Sequence, residues 1–267
     1  MFKSKIAAAL FVTATFFAGA QAHAGAIHSV NEFTDFTLPA NDDGSTSAVN
    51  VGFMLNFFGN SYDKLFVNNN GNVTFRESLR TFVPFGLQSN SFPIIAPFLA
   101  DVDTRGAGSG LVQYGQGMVN GLQAFGVNWI NVGYYASGVD RLNSFQLILT
   151  NRSDVSAGDF DIQFNYDQVK WELGSASQGV SAVAGYTDGG TNDFEFAGSR
   201  VNGAMLDSNL GTGLIHGSRN STVLGQYNFN VRNGQVIAPS PVSAPGTLAV
   251  LGLGLAGLGM MRRRLAK

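Results

Sequence analysis

The chain contains no cysteine. Disulfide staples and thiolate metal centres are excluded, and a folded body must be held by packing alone. Charge is scarce and unevenly placed. Six of the 16 basic residues sit at the ends, as Lys3, Lys5, Arg262, Arg263, Arg264 and Lys267, while all 18 acidic residues lie between Glu32 and Asp207. Ten basic residues against 18 acidic ones leave the interior at −8. A nucleic-acid partner needs a basic face and is excluded. Outside the first 24 residues the only histidines are His28 and His216, and there is no G-x-S-x-G elbow. A Ser-His-Asp site needs a positioned base, so nucleophilic catalysis has little to build on. Helical periodicity is also missing from the interior, where glycine recurs too often for helix interiors.

What is present is alternation of apolar and polar residues. Phe160, Ile162, Phe164 and Tyr166 alternate with Asp161, Gln163, Asn165 and Asp167. Successive strand residues point to opposite faces, so this segment reads as a half-buried antiparallel strand. Phe125, Val127 and Trp129 repeat the pattern, as do Phe145, Leu147 and Leu149, and Tyr227, Phe229 and Val231. Val51 to Phe58 is a dense apolar strand signal. Asn70-Gly71 separates Leu65-Phe66-Val67 from Val73-Thr74-Phe75. A two-residue hairpin loop there would set Phe66 opposite Phe75 and Val67 opposite Thr74. Many short strands with turns between them predict an all-β fold, an antiparallel two-sheet sandwich. Of 22 phenylalanines, 18 lie beyond the first 24 residues, enough for a core without cross-links. Residues 25–47 read as a polar lead-in, and Gly189 to Gly225 as mostly loop.

The two ends read as targeting segments. Met1 to Ala24 has Lys3 and Lys5, an apolar run from Ile6 to Ala20, and Ala22-His23-Ala24. This is a secretory signal peptide, expected to be helical, with cleavage after Ala24; Ala20-Gln21-Ala22 is the competing site. Residues 25–237 form the β domain and 238–246 a Pro-rich linker. Residues 247–267 form a short hydrophobic helix ending in Arg262, Arg263 and Arg264. The 15 residues from Thr247 to Met261 would cover about 22 Å as a helix, short of a bilayer's hydrocarbon core. A transient inner-membrane anchor is expected. Gly252 to Gly257 fits G-x-G-x-x-G, but no strand precedes it, so it is not a nucleotide site.

The stretch Ile94-Ile95-Ala96-Pro97-Phe98-Leu99-Ala100-Asp101-Val102-Asp103 is the most distinctive. Pro93 and Pro97 predict an edge strand or a bulge. Asp101 and Asp103 would share one face, with Val102 on the other. Two carboxylates so placed, or Asp159 and Asp161, would suit glycoside hydrolysis only across a cleft. Asp42, Asp43, Asp101 and Asp103 are hard oxygen donors near turns and would suit calcium, although no EF-hand spacing is present. Turn capping is the competing use for them. From sequence, no catalytic residue, cofactor-binding residue or metal ligand is assigned. Three N-x-S/T triplets begin at Asn72, Asn151 and Asn220 and are read as chance in an Asn-rich chain.

Two resemblances add to this. The tail resembles a PEP-CTERM sorting signal through Pro245, Gly246, the hydrophobic run and Arg262, Arg263 and Arg264, with Ser243-Ala244 where that family has Pro-Glu. This implies a Gram-negative bacterium secreting exopolysaccharide, and an exosortase-type processing enzyme as a partner. The domain from about Val51 to Arg232, most clearly 51–186, resembles the NIDO domain. The matching residues include Phe57-Phe58-Gly59, Tyr62, Phe66 to Gly71, Ile94 to Phe98, Ala100 to Arg105, Trp129, Val132 to Tyr135, Asn143 to Leu147, Phe164-Asn165-Tyr166 and Trp171. That family implies an extracellular matrix and adhesion module without catalysis, whose partner here would be matrix or exopolysaccharide at the cell surface. The alternatives are a carbohydrate-active enzyme and a lectin-like domain with Trp129, Tyr134 and Tyr135 lining a glycan pocket.

Overall fold

A computed structural model describes residues 25–237. Ala24, Pro245, Gly246, Arg262, Arg263 and Arg264, with the helices expected at both ends, lie outside the described residues. Thirteen strands form: β1 Phe36–Thr37, β2 Val49–Phe57, β3 Asn60–Asn68, β4 Asn72–Thr74, β5 Ile94–Leu99, β6 Val112–Val119 and β7 Leu122–Tyr134. After them come β8 Gly138–Asn151, β9 Phe160–Gln168, β10 Val183–Thr187, β11 Asp193–Glu195, β12 Gln226–Arg232 and β13 Gln235–Val236. Short 3-10 turns occupy Leu87–Ser89 and Leu214–His216. Every strand pair is antiparallel. A seven-stranded sheet has the order β1-β6-β7-β8-β9-β12-β13, and a six-stranded sheet has the order β11-β10-β5-β4-β3-β2.

The two sheets face each other as a sandwich. Phe125, Val127 and Trp129, then Phe145, Leu147 and Leu149, then Phe160, Ile162, Phe164 and Tyr166, and finally Tyr227, Phe229 and Val231 all enter one core. Val51, Leu55, Val67, Val73, Ile95 and Phe98 of the other sheet meet them there. The predicted alternation therefore sets the inner faces. Trp129 stacks on Phe145 at 5.2 Å between ring centroids, and Phe98 lies 5.3 Å from Phe145. Full burial of such side chains stabilises by about 1.5–3 kcal/mol each.

Three expectations are corrected. The loop between β3 and β4 has three residues, because Phe66 pairs with Thr74, Val67 with Val73 and Asn68 with Asn72. Only Gly71 of the Asn70-Gly71 pair has positive φ, +72°, whereas the two-residue loop needs two such residues. Secondly, β5 is not an edge strand; it lies between β10 and β4. The prolines are tolerated because β4 reaches only Ile94 and Ile95, and because the β5–β10 register breaks between Ala96 and Leu99. Pro97 sits in that break, so the expected irregularity is there but the edge is not.

The third correction concerns the lead-in. Its first part, His28 to Phe33, packs on the outer face of the seven-stranded sheet, and Phe36–Thr37 then pair with β6. Phe33 is buried with Val119, Ala124 and Ile148, and a Cβ at Gly126 would stand 2.2 Å from the Phe33 ring. Only glycine leaves room for that ring. The polar residues of this face are bonded in a row. Asn128 donates to the Glu32 carbonyl (2.8 Å), Gln146 to Asn128 (2.7 Å), Asn165 to Gln146 (2.8 Å) and Gln163 to Asn165 (2.8 Å). Gly189 to Gly225 is mostly loop, as expected, yet it supplies Met205 and Leu214 to the core.

Candidate functional site

Four segments converge at one end of the sandwich: Asn41–Gly44, the β3–β4 loop Asn69–Gly71, Asp101–Arg105 after β5, and the β7–β8 turn around Ser137. Asparagine side chains join the first three. Asn69 Nδ2 donates to the carbonyls of Asp42 (2.6 Å) and Val102 (2.5 Å). Asn70 Nδ2 donates to Asp43 Oδ1 (2.8 Å) and the Thr81 carbonyl (2.9 Å), while its Oδ1 accepts from the Val102 N–H (2.9 Å). Thr104 and Asn41 exchange three bonds of 2.9 Å each. Asn69 and Asn70 are both fully buried. Buried amides need partners on both the oxygen and the nitrogen, and backbone groups of these segments are among those partners.

Asp101 and Asp103 do face away from the core while Val102 enters it, but the strand has already ended at Leu99 and their surroundings differ. Asp103 is held by Arg105 through its backbone N–H (2.9 Å), its Nε (2.8 Å) and its Nη2 (2.7 Å), and by the Ser137 N–H (2.9 Å). Burial pushes its carboxyl up, but these bonds and the guanidinium charge hold it below the usual range. Asp101 is 1 % exposed, and neither carboxylate oxygen has a hydrogen-bond partner. Burial first, then the negative charges of Asp42, Asp43 and Asp103, push its pKa up to about 7. Asp42 Oδ2 accepts from Arg105 (2.9 Å), while its buried Oδ1 is unpartnered. Its pKa is pushed up to about 6 by burial and then by Asp103 and Asp43. One oxygen each from Asp42, Asp43 and Asp101 lies within 4.8 Å of the others.

So three of the four aspartates read as calcium candidates are brought together, and the fourth is diverted to Arg105. Sequence reasoning missed Asn41, Asn69, Asn70, Thr104 and Arg105 in this role. The run Asn68-Asn69-Asn70-Gly71 was visible as a turn and as part of the NIDO resemblance, but not as a brace for carboxylates.

The other candidates are placed apart. His28 lies 3.1 Å from Glu32, and His216 contacts the Asp207 carbonyl at 2.7 Å. Asp159 is buried and accepts from the Asn233 N–H, while Asp161 pairs with Arg152 and Arg232. Trp129 is fully buried and lines no open glycan pocket, while Tyr134 is half-buried, packing on Trp171 with its hydroxyl bonded to Asp140 and Arg141. Tyr135 is partly exposed. A shallow hollow of about 240 Å³ lies on the outer face of the seven-stranded sheet, among Thr150, Arg152, Asp161, Gln163, Asn228 and Asn230.

Alpha-tectorin of Mus musculus is 31% identical over 242 residues, covering 77% of this chain and 10% of the tectorin. Alpha-tectorin of Homo sapiens gives the same figures. Nidogen of Drosophila melanogaster is 30% identical over 131 residues, covering 40% of this chain and 10% of the nidogen. The chain thus spans about a tenth of the length of the curated relatives it matches. No solved structure matches. A family model described as NIDO related matches residues 19–223, which takes in β1 to β11 and the Asn-Asp cluster, and the chain belongs to the NIDO-related family.

Proposed function

We propose that this protein is a secreted or cell-surface matrix module that binds without catalysis. The observation that carries the reading is the family match over residues 19–223, together with similarity to alpha-tectorin and nidogen. In this reading the export signal at Met1–Ala24 and the tail beyond Ala238 deliver the domain to the outer surface. Its partner is an extracellular polymer, matrix protein or exopolysaccharide. The hollow lined by Gln163, Asn228 and Asn230 is the surface assigned to contact, because planar amides offer both donors and acceptors to a hydroxylated polymer.

The test is retention of the purified protein on immobilised exopolysaccharide and on the extracellular matrix of the producing cells. N228A/N230A should lose retention with only a small fall in the unfolding midpoint, from the lost Asn228–Asn220 hydrogen bond. Retention that survives this double substitution would move the contact elsewhere, and release of sugars from the polymer by the wild-type protein would replace binding with hydrolysis.

A further inference from the structure

We propose that Asp42, Asp43 and Asp101 hold a calcium ion that ties the lead-in to the turn after β5. This concerns a site apart from the hollow and does not depend on what that hollow binds.

Three observations meet here. One oxygen from each carboxylate lies within 4.8 Å of the others. Calcium takes oxygens at about 2.3–2.6 Å, so two ligands across the ion stand about 5 Å apart, and a single ion reaches all three. The second observation is independent of the clustering. Asp101 is 1 % exposed, and both of its oxygens lack a hydrogen-bond partner, as does the buried Oδ1 of Asp42. Leaving buried carboxylate oxygens unpaired is costly, yet the rest of this region is thoroughly bonded. Asp103, two residues away, has four donors. Thirdly, the local charge does not balance. Asp42, Asp43, Asp101 and Asp103 face the one guanidinium of Arg105, whose Nη2 is bonded to Asp42 and Asp103.

The donor set is all oxygen, which suits calcium better than zinc or copper. Asn70 positions Asp43 through its Nδ2, and Asn69 fixes the backbone beside Asp42. These amides are positioning residues and hold the carboxylates in place. Calcium wants six to eight oxygens, so bidentate carboxylates and water would complete the shell. A magnesium ion demands near-octahedral geometry at about 2.1 Å and fits oxygens spread this far less well.

The test uses the full-length protein stripped with EGTA. Thermal unfolding is followed without metal, with about 2 mM CaCl2, above the range of extracellular calcium modules, and with the same MgCl2. Calcium should raise the midpoint by about 4 °C, with magnesium giving little change. D101N should lose the calcium shift, and D154N, at an exposed aspartate in a distant loop, should keep it. If D101N fails to fold, D43N gives the same reading at a half-buried position. No calcium shift in the wild-type protein, an equal shift with magnesium, or an undiminished shift in the folded variant would overturn the proposal.

Discussion

The indole Nε1 of Trp129 donates to the carbonyl oxygen of Asn69 at 3.0 Å. One residue lies on the seven-stranded sheet and the other in a loop of the facing sheet, so this bond ties the two layers at the end that carries the acidic cluster. Both residues are fully buried, and no solvent replaces the donor once it is removed. W129F should cost about 2–4 kcal/mol, from the small cavity left and the orphaned carbonyl. Urea unfolding followed by far-ultraviolet circular dichroism measures this. A loss below about 1 kcal/mol would mean that the layers are tied elsewhere.

Gly71 permits a close approach that no other residue allows. Its φ is +72°, and a Cβ would stand 1.8 Å from the Phe98 carbonyl oxygen. The Phe98 N–H also bonds the Gly71 carbonyl, so the loop cannot swing away without releasing β5. G71A should destabilise by more than the roughly 1 kcal/mol typical of left-handed strain alone, and soluble yield should fall. Thermal midpoints of the purified variant decide it; a midpoint within a degree of wild type would contradict the contact.

Arg219 caps a pair of aromatic rings, with its guanidinium carbon 5.1 Å from the Phe194 ring centroid and 4.9 Å from that of Phe229, the two centroids being 5.1 Å apart. The planar, delocalised cation reaches both rings at once, and lysine does not reproduce that contact. R219A should cost about 1–2 kcal/mol and R219K should recover only part of it. Denaturant midpoints of the pair give the comparison, and full recovery by lysine would reduce the contact to simple charge.

Glu172 is buried under the 198–206 loop and accepts from the backbone N–H groups of Gly203 and Met205 and from the Ser181 hydroxyl. Burial raises its carboxyl above the ordinary range, and the three hydrogen bonds only partly oppose this. A carboxyl whose pKa is higher folded than unfolded binds more protons in the folded state. Its contribution is therefore most favourable below the unfolded value and falls as pH rises to the folded one. Asp207, also raised by burial, adds a slope of the same sign, as do Asp42 and Asp101, raised to about 6 and about 7. E172Q should flatten the decline of stability just above the ordinary carboxyl range, leaving the shares of Asp42, Asp101 and Asp207. Chemical denaturation at several pH values tests this, and identical slopes would place the titration elsewhere.

The inward face of each long strand was legible because alternation is a property of neighbouring residues. Phe160, Ile162, Phe164 and Tyr166 announce their side without reference to anything distant. The hairpin register was not legible, since Asn69, Asn70 and Gly71 allow loops of two lengths and pairing of Phe66 with Thr74 is settled by strands elsewhere. Pro97 was legible in part: the bulge was expected and is there, but its place in an interior strand depends on how short β4 is. At the acidic site the ligand types were visible, but convergence was not. The segments that carry Asp42 and Asp101 are joined by Asn69, Asn70 and Arg105, whose side-chain bonds have no periodic signature. The burial of Phe33 also gave no signal, because a lone aromatic in a polar stretch carries no period.

That last residue has a consequence for how the molecule is made. The start of the lead-in precedes every strand in the chain, yet Phe33 seats against Val119, Ala124 and Ile148, His28 bonds Gln146 and Glu32 bonds Asn128. Its landing place does not exist until more than half the polypeptide is available. This segment must wait as an unattached thread, and it docks on the outer face late, in a long-range step.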